Sequence, residues 1–183
     1  MSEEGTAPDV DSELVVRRFR PDDAERLARV QVDALSRAGA YIEGDSVVNL
    51  DEEDVVGTYL DTGGEFLVGL IDDRPVACGA FRPPTGPITR IVDVGPDDGV
   101  AELKRMYVDP AFHRRGIGSR LLDDLAERAR RTDWARGFVL LTTEMQTAAQ
   151  AFYEGRGYEA IGRHTVTEFD EPFDVIAYRT RLD

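Results

Sequence analysis

His113-Arg114-Arg115-Gly116-Ile117-Gly118-Ser119 is the stretch whose residue types and spacing suit a definite chemistry, the holding of phosphate. An apolar, strand-like run from Leu103 to Val108 precedes it, and the breaker Asp109-Pro110 intervenes. A helical pattern follows, with Ile117, Leu121, Leu122, Leu125 and Ala129 on one face. The two glycines let the backbone turn tightly and let a ligand come close. The first N–H groups of a helix have no intrahelical partner and point at one spot, where the helix dipole adds about half a positive charge. Arg114 and Arg115 add their own charges. Such a cradle suits a pyrophosphate.

Two familiar carriers of pyrophosphate fit poorly. A nicotinamide or flavin cradle calls for G-x-G-x-x-G opening a βαβ unit, with an acidic residue about 20 positions on. Here the third glycine is missing and the strand does not open the fold. A P-loop needs Lys-Ser or Lys-Thr after its last glycine, and none is present. The stretch from Ala101 to Leu122, AELKRMYVDPAFHRRGIGSRLL, resembles the coenzyme-A-binding motif of the GNAT superfamily of N-acetyltransferases. That signature is Gln or Arg, two residues, Gly, one residue, then Gly or Ala. His113 stands where the Gln or Arg is usual, and it still donates a hydrogen bond. Downstream, Gln146, Ala149, Phe152, Tyr153, Gly157 and Tyr158 resemble the family's second motif, N-x-x-A-x-x-L/F-Y-x-x-x-G-F/Y, with Gln146 in place of the common Asn.

The resemblance implies acetyl-CoA as cofactor, with backbone N–H groups from Arg114 to Ser119 on the pyrophosphate. Its pantetheine arm would lie along Met106, Tyr107 and Val108, pairing with backbone groups of Met106 and Val108. The arm would run between that strand and a second one, Phe138 to Thr143, splayed away from it. His113, Gln146 and Phe152 fall on the cofactor side by the same likeness. The implied activity is acetyl transfer to a primary amine of a small molecule or peptide by direct attack. The alternative on the same fold is a non-catalytic acyl-CoA-binding or sensing module.

Acetyl transfer needs a neutral amine, donors for the developing oxyanion and a proton or positive field for the thiolate. An alkyl ammonium of pKa about 10.4 costs about 4.6 kcal/mol to neutralise at pH 7, so a base is useful. Glu102, at the start of the strand leading to the cradle, is one candidate; a salt bridge to Lys104 or Arg105 is its other reading. Glu144, just after the next strand, is a second candidate base, or else a cap for the helix that follows. Tyr153 matches the family tyrosine that protonates the departing thiolate, against the alternative of a packed helix tyrosine beside Phe152. A phenol of pKa about 10 is protonated and able to donate at neutral pH. Cys78, in an apolar strand, reads as buried packing. His164 has no context that singles it out.

These residues must be positioned by a mixed α/β sheet in one domain. Leu14–Phe19 reads as a first strand. Asp22 and Asp23 open a helix whose apolar stripe is Leu27, Val30, Ala34 and Leu35. Asp51-Glu52-Glu53-Asp54 reads as another helix start, burying Val55, Val56, Tyr59 and Leu60. Glu65–Ile71 and Val76–Arg82 form a hairpin about Asp72-Asp73-Arg74-Pro75. The stretch from Arg82 to Gly99 is a Pro- and Gly-rich connection with a short strand at Ile88–Val94. The strand Ala101–Val108, the helix Ile117–Arg131 and the strand Phe138–Thr143 follow. A short helix Gln146–Glu154 and strands Tyr158–Ile161 and Phe173–Thr180 complete the chain. The family likeness makes the sheet mainly antiparallel and flanked by helices.

The chain has 183 residues and a net charge of −14, with Lys104 the one lysine among its 22 basic residues. Such a surface repels nucleic acid, whose binding is driven by phosphate neutralisation. The acidity has two readings, adaptation to high salt or attraction of a cationic substrate. From Ala38 to Asp73 there are ten carboxylates and no Lys or Arg, whereas Glu102–Arg136 holds nine basic and six acidic residues. The phosphate signature thus sits on a basic island. The acidic N-terminus, residues 1–12, reads as a disordered lead-in to a catalytic domain at 13–183. No apolar run approaches the roughly 20 residues that span a bilayer, and a lone cysteine forms no internal disulfide. A cytoplasmic protein without membrane or metal partners, monomeric or homodimeric, is expected. The acceptor is expected to meet Val30–Leu60 and the 82–99 connection.

Overall fold

The computed structural model describes residues 13–41, 50, 53–95 and 97–183. The acidic lead-in, Asp51 and Glu52 lie outside the described residues. The elements in order are β1 (Leu14–Arg18), a 3-10 turn (Pro21–Asp23), α1 (Ala24–Arg37), a π-helical turn (Val56–Leu60), β2 (Glu65–Ile71), β3 (Arg74–Arg82), α2 (Pro87–Ile91), β4 (Val100–Val108), a 3-10 turn (Pro110–Phe112), α3 (Ile117–Arg130), β5 (Gly137–Thr143), α4 (Thr147–Gly155), β6 (Glu159–Val166) and β7 (Phe173–Arg181). The strands form one seven-stranded sheet in the order β1-β2-β3-β4-β5-β7-β6. Every pairing is antiparallel except β4 with β5, which is parallel.

Each face of the sheet is covered. On one, Leu121, Leu122, Leu125 and Ala129 of α3 pack with Leu67, Phe81, Ala101, Leu103, Phe138 and Leu140. On the other, Leu27 and Ala28 of α1 and Tyr59 of the π turn pack with Phe66, Val68, Leu70, Cys78 and Ala80. Because both faces are covered, β2 is buried along its whole length and its sequence reads as a near-continuous apolar run. Glu65 sits in this buried strand and is met by both flanking elements. Arg18 of β1 donates to its two oxygens at 2.8 Å each, and Arg128 of α3 donates at 2.9 Å. Burial pushes the Glu65 carboxyl up, but the Arg18 hydrogen bonds and charge, the Phe66 N–H and Arg128 together leave it below the ordinary value.

Three expectations need correction. The strand expected at Ile88–Val94 is replaced by the helix α2. Gly86, at φ +71°, turns the chain into Pro87, whose fixed φ and missing N–H suit a first helical position. Ile88 and Val94 are still buried, against Val100 and Val139, so the apolar pattern marked burial and not strand geometry. In the second correction, Val56 is 40 % exposed while Val55 and Tyr59 are buried. The turn is wound wide, with Asp61 N–H donating to Val56 C=O at 2.9 Å, and this carries Val56 out of the face an α-helix would bury. The third concerns β6, which extends through Val166 where the sequence pattern ended at Ile161. It is an exposed edge strand, so Arg163, His164 and Thr165 carry no alternating apolar signal. No described helix is long and apolar enough to cross a membrane.

Candidate active site

The site begins where two neighbouring strands part. β4 and β5 pair only at Val100 with Gly137, Ala101 with Phe138 and Glu102 with Val139. Beyond that point β4 stays with β3 as far as Val108, and β5 stays with β7 as far as Thr143. The wedge between them is a cavity of about 440 Å³ lined by Glu102 to Tyr107 on one side and Leu140 to Thr143 on the other. Gln146, Ala149 and Tyr153 of the following segment close its end.

A β-bulge shapes the β4 wall. Cys78 pairs with Tyr107 and Ala80 with Lys104, so β4 carries one residue more than β3. Arg105 takes up the excess at φ +58°, and its carbonyl accepts a hydrogen bond from the Cys78 thiol at 3.2 Å. The extra residue falls outside the strand ladder beside the gap. The Met106 side chain tucks under the sheet toward α3: a Cβ on Gly79 would come within 2.4 Å of its sulfur. Arg105 is anchored by an ion pair with Glu53 at 2.9 Å and a hydrogen bond to the Tyr59 hydroxyl at 3.3 Å, and Tyr59 donates to Glu53 at 3.2 Å. Burial pushes the buried Cys78 thiol up to about 12, which fits the packing role read from sequence.

The chain leaves β4 into the candidate phosphate cradle. Asp109 N–H donates to Val76 C=O at 2.8 Å, and its carboxylate accepts from Ala111 N–H at 3.0 Å and from Arg26 of α1 at 2.5 Å. This clamp fixes the turn to β3 and α1. The His113 ring Nε2 lies 2.9 Å from Val108 C=O. A carbonyl only accepts, so Nε2 carries the proton, and His113 spans the turn it was expected to serve. Gly116 sits at φ +76° and Arg114 at φ +60°. Gly118 belongs to the regular first turn of α3, so the tight turn falls to Gly116 and Arg114, not to both glycines. Arg120 N–H makes the first helical bond, to Gly116 C=O at 3.0 Å, which leaves the N–H groups of Ile117, Gly118 and Ser119 ahead of the ladder. Arg115 stacks on Phe112 at 5.1 Å. Neither Arg114 nor Arg115 pairs with a carboxylate among the described residues. The donors, the arginines and the open space at Gly116 together fit a pyrophosphate.

The candidate catalytic groups reach the gap from opposite faces. Leu103 packs on the α3 side, so its strand neighbours Glu102 and Lys104 lie on the α1 side. Glu102 is 5 % exposed, accepts from Arg82 at 3.2 Å and lies 3.7 Å from Lys104 Nζ. Of the partners expected for it, Lys104 is present and Arg105 is taken by Glu53; Arg82 was not foreseen. Tyr153 is buried on the α3 side among Phe152, Tyr158 and Tyr178. Its hydroxyl makes no hydrogen bond among the described residues, and the residue lines the cavity. Burial first, then the neighbouring Tyr158 and Tyr107, push its pKa well above that of an ordinary phenol. Tyr107 is raised by burial as well.

Not every candidate joins this group. Glu144 does not line the cavity, and Gln146, not Glu144, stands at the N-cap position of α4. The Glu144 carboxylate accepts from Arg163 at 3.2 Å and from Asp174 N–H at 3.1 Å, binding the end of β5 to β6 and β7. Gln146 does line the cavity, and its side-chain oxygen accepts from Thr143 N–H at 2.9 Å. Phe152 packs over the start of α3, its ring 3.8 Å from where a Cβ on Gly118 would sit. The remaining cavity lining can be set beside the segments expected to meet the acceptor. Leu35 and Ala40, within 30–60, line the cavity, and no described residue of 83–99 does. Phe169 and Phe173, stacked at 5.5 Å, line it instead. Their aromatic spacing in a polar stretch was the signal available in the sequence. Lys104, expected only as an ion-pair partner of Glu102, lines the cavity as well.

Comparison with known proteins agrees with this geometry. The model of the acetyltransferase (GNAT) family matches residues 30–158. The uncharacterized N-acetyltransferase YjgM of Escherichia coli K12 is 31% identical over 152 residues, covering 80% of this chain and 83% of its own length. Among solved structures, a GNAT-family acetyltransferase of Staphylococcus aureus Mu50 superposes with a TM-score of 0.73 at 20% identity, over 93% of this chain and 99% of that one. The structure of yncA from Salmonella typhimurium with its cofactor acetyl-CoA superposes with a TM-score of 0.72 at 17% identity, over 93% and 95%. The opened β4–β5 pair, the cradle at the start of α3 and these likenesses lead to one conclusion: the chain belongs to the GNAT family of acetyltransferases and is an acyltransferase.

Proposed function

We propose that the enzyme moves an acetyl group from acetyl-CoA to a primary amine of a small molecule or peptide, by direct attack of the amine on the thioester. The observation that carries this reading is the approach of Glu102 and Tyr153 to one gap from opposite faces of the sheet. That arrangement gives the amine and the leaving thiol separate sides and separate proton carriers. Bound acetyl-CoA supplies an activated acyl carbon and a thiolate leaving group.

The chain's own residues do the rest. The N–H groups of Ile117, Gly118 and Ser119, with Arg114 and Arg115, hold the pyrophosphate. The backbone of Met106 and Val108 aligns the pantetheine arm, with Tyr107 beside it, and His113 holds the turn by binding Val108 C=O. Gln146 keeps the mouth of β5 in place, and Phe152 braces α4 against the cradle. Glu102, held by Arg82, draws the proton from the incoming ammonium directly or through water. Tyr153, kept protonated by burial, gives its proton to the departing sulfur. The Glu144 carboxylate, committed to Arg163 and Asp174, serves the sheet end and not the reaction.

Tyr153→Phe tests this assignment, since it keeps the ring and removes only the hydroxyl. A fall in kcat of about 10²–10⁴-fold, the range for acid–base catalysis, is expected with acetyl-CoA binding unchanged. Unaltered turnover would mean that the thiolate leaves without this tyrosine.

A further inference from the structure

The chain has one lysine, Lys104, among its 22 basic residues, and that lysine lines the cleft between β4 and β5. It lies immediately before the bulge residue Arg105 and on the strand face of Glu102. Its Nζ is 3.7 Å from Glu102 Oε1, and its side chain is 34 % exposed. The neighbouring cations are more tightly held: Arg82 donates to Glu102 at 3.2 Å, and Arg105 pairs with Glu53 at 2.9 Å. A guanidinium stays protonated and is no nucleophile, whereas a lysine amine becomes one when neutral. We propose that Lys104 is an internal acceptor, acetylated on Nζ by the acetyl-CoA bound in its own cleft.

This inference rests on the reading of the cleft as an acetyl-CoA site. Burial lowers the Lys104 pKa, Glu102 opposes that shift, and Arg82 and Arg105 add to it. The lowered value enlarges the neutral fraction at any given pH. In the step, the Nζ lone pair forms the N–C bond at the thioester carbonyl and the C–S bond breaks. The proton lost from nitrogen passes to Glu102 and from it to water, while Tyr153 protonates the sulfur and recovers a proton from water, so no net proton is consumed. Acetyl-CoA and lysine become acetyl-lysine and coenzyme A. The product has no charge beside Glu102 and fills part of the acceptor side, so the modified chain turns over external amines more slowly.

The test incubates the purified full chain with acetyl-CoA and no other amine, follows intact mass, and maps the label by peptide mass spectrometry. Acetyl-CoA binding and coenzyme A release with a panel of amines are measured on the same preparation. The proposal expects one acetyl group on the peptide containing Lys104, suppressed by excess coenzyme A and absent from Lys104→Arg. Label confined to the N-terminal amine, or equal labelling of the urea-unfolded chain, overturns it. An unmodified Lys104 in a preparation that acetylates an external amine overturns the proposal and leaves the transferase reading standing. Failure to bind acetyl-CoA overturns both.

Discussion

At the scale of residues, the reaction needs few groups, and their value depends on their partners. Glu102 and Glu144 are both glutamates near the ends of adjacent strands; the sequence favoured Glu102 by its position on the strand leading to the cradle and kept Glu144 as the second candidate. The structure separates them by long-range contacts, Arg82 and Lys104 for one and Arg163 and Asp174 for the other. The role proposed for Tyr153 starts from its spacing from Gln146 and Gly157, which follows the family pattern. Lys104 was not singled out, since a charge on a strand reads as solvated until the strand next to it is seen to leave. For Glu102→Gln we expect kcat to fall about 10²-fold or more, with the loss shrinking as pH rises and more of the amine is neutral in solution. A pH profile of kcat for both proteins checks this, and parallel profiles would contradict a role in deprotonation.

The elements that carry these groups were mostly visible in sequence. The exceptions lie where an apolar pattern is compatible with more than one local form. The α2 helix arises because Gly86 and Pro87 set its first turn, and the apolar residues after them fit either form. The wide turn at Val56–Leu60 holds Tyr59 against Glu53, six residues away, and Arg105, 46 residues away. In the cradle, the two glycines have separable roles. Gly116 is at φ +76° in open space, whereas a Cβ on helical Gly118 meets Val108 and Phe152 at ordinary distances of 3.7 and 3.8 Å. Gly116→Ala is expected to cost about 1–2 kcal/mol through the left-handed backbone and to weaken acetyl-CoA binding. Gly118→Ala is expected to be neutral or up to about 1 kcal/mol stabilising through helix propensity. Urea denaturation of the two variants checks the contrast, which equal destabilisation would contradict.

The tie between β1, β2 and α3 at Glu65 belongs to the same scale. Its folded-state pKa is depressed. The stabilisation is therefore complete above the unfolded-state glutamate value of about 4.3 and is lost as pH falls through the lower folded-state value. Glu65→Gln is expected to lower stability by about 1–3 kcal/mol near neutral pH, as for a charged buried hydrogen-bond acceptor. That difference should narrow in acid. Urea midpoints of the two proteins across this range measure it, and a constant difference would contradict the assignment.

For the whole molecule, charge and topology divide the work. Among the described residues the sheet opens between its parallel pair, and Lys104 and Arg105 line that opening in a chain of net charge −14. The proposed donor side was legible in sequence because a phosphate cradle calls for glycine, a helix start and local positive charge close together in the chain. The rest of the cavity lining was less legible because Leu35, Ala40, Phe169 and Phe173 come from distant segments. The most direct test of the central claim is release of coenzyme A from acetyl-CoA on addition of polyamines, amino acids, aminoglycosides or peptide N-termini, at low and high salt. Mass spectrometry of the products accompanies it. The expected result is release dependent on at least one amine, matched mole for mole by its N-acetylated form. Tight acetyl-CoA binding with no release on any amine at either salt concentration would contradict the account.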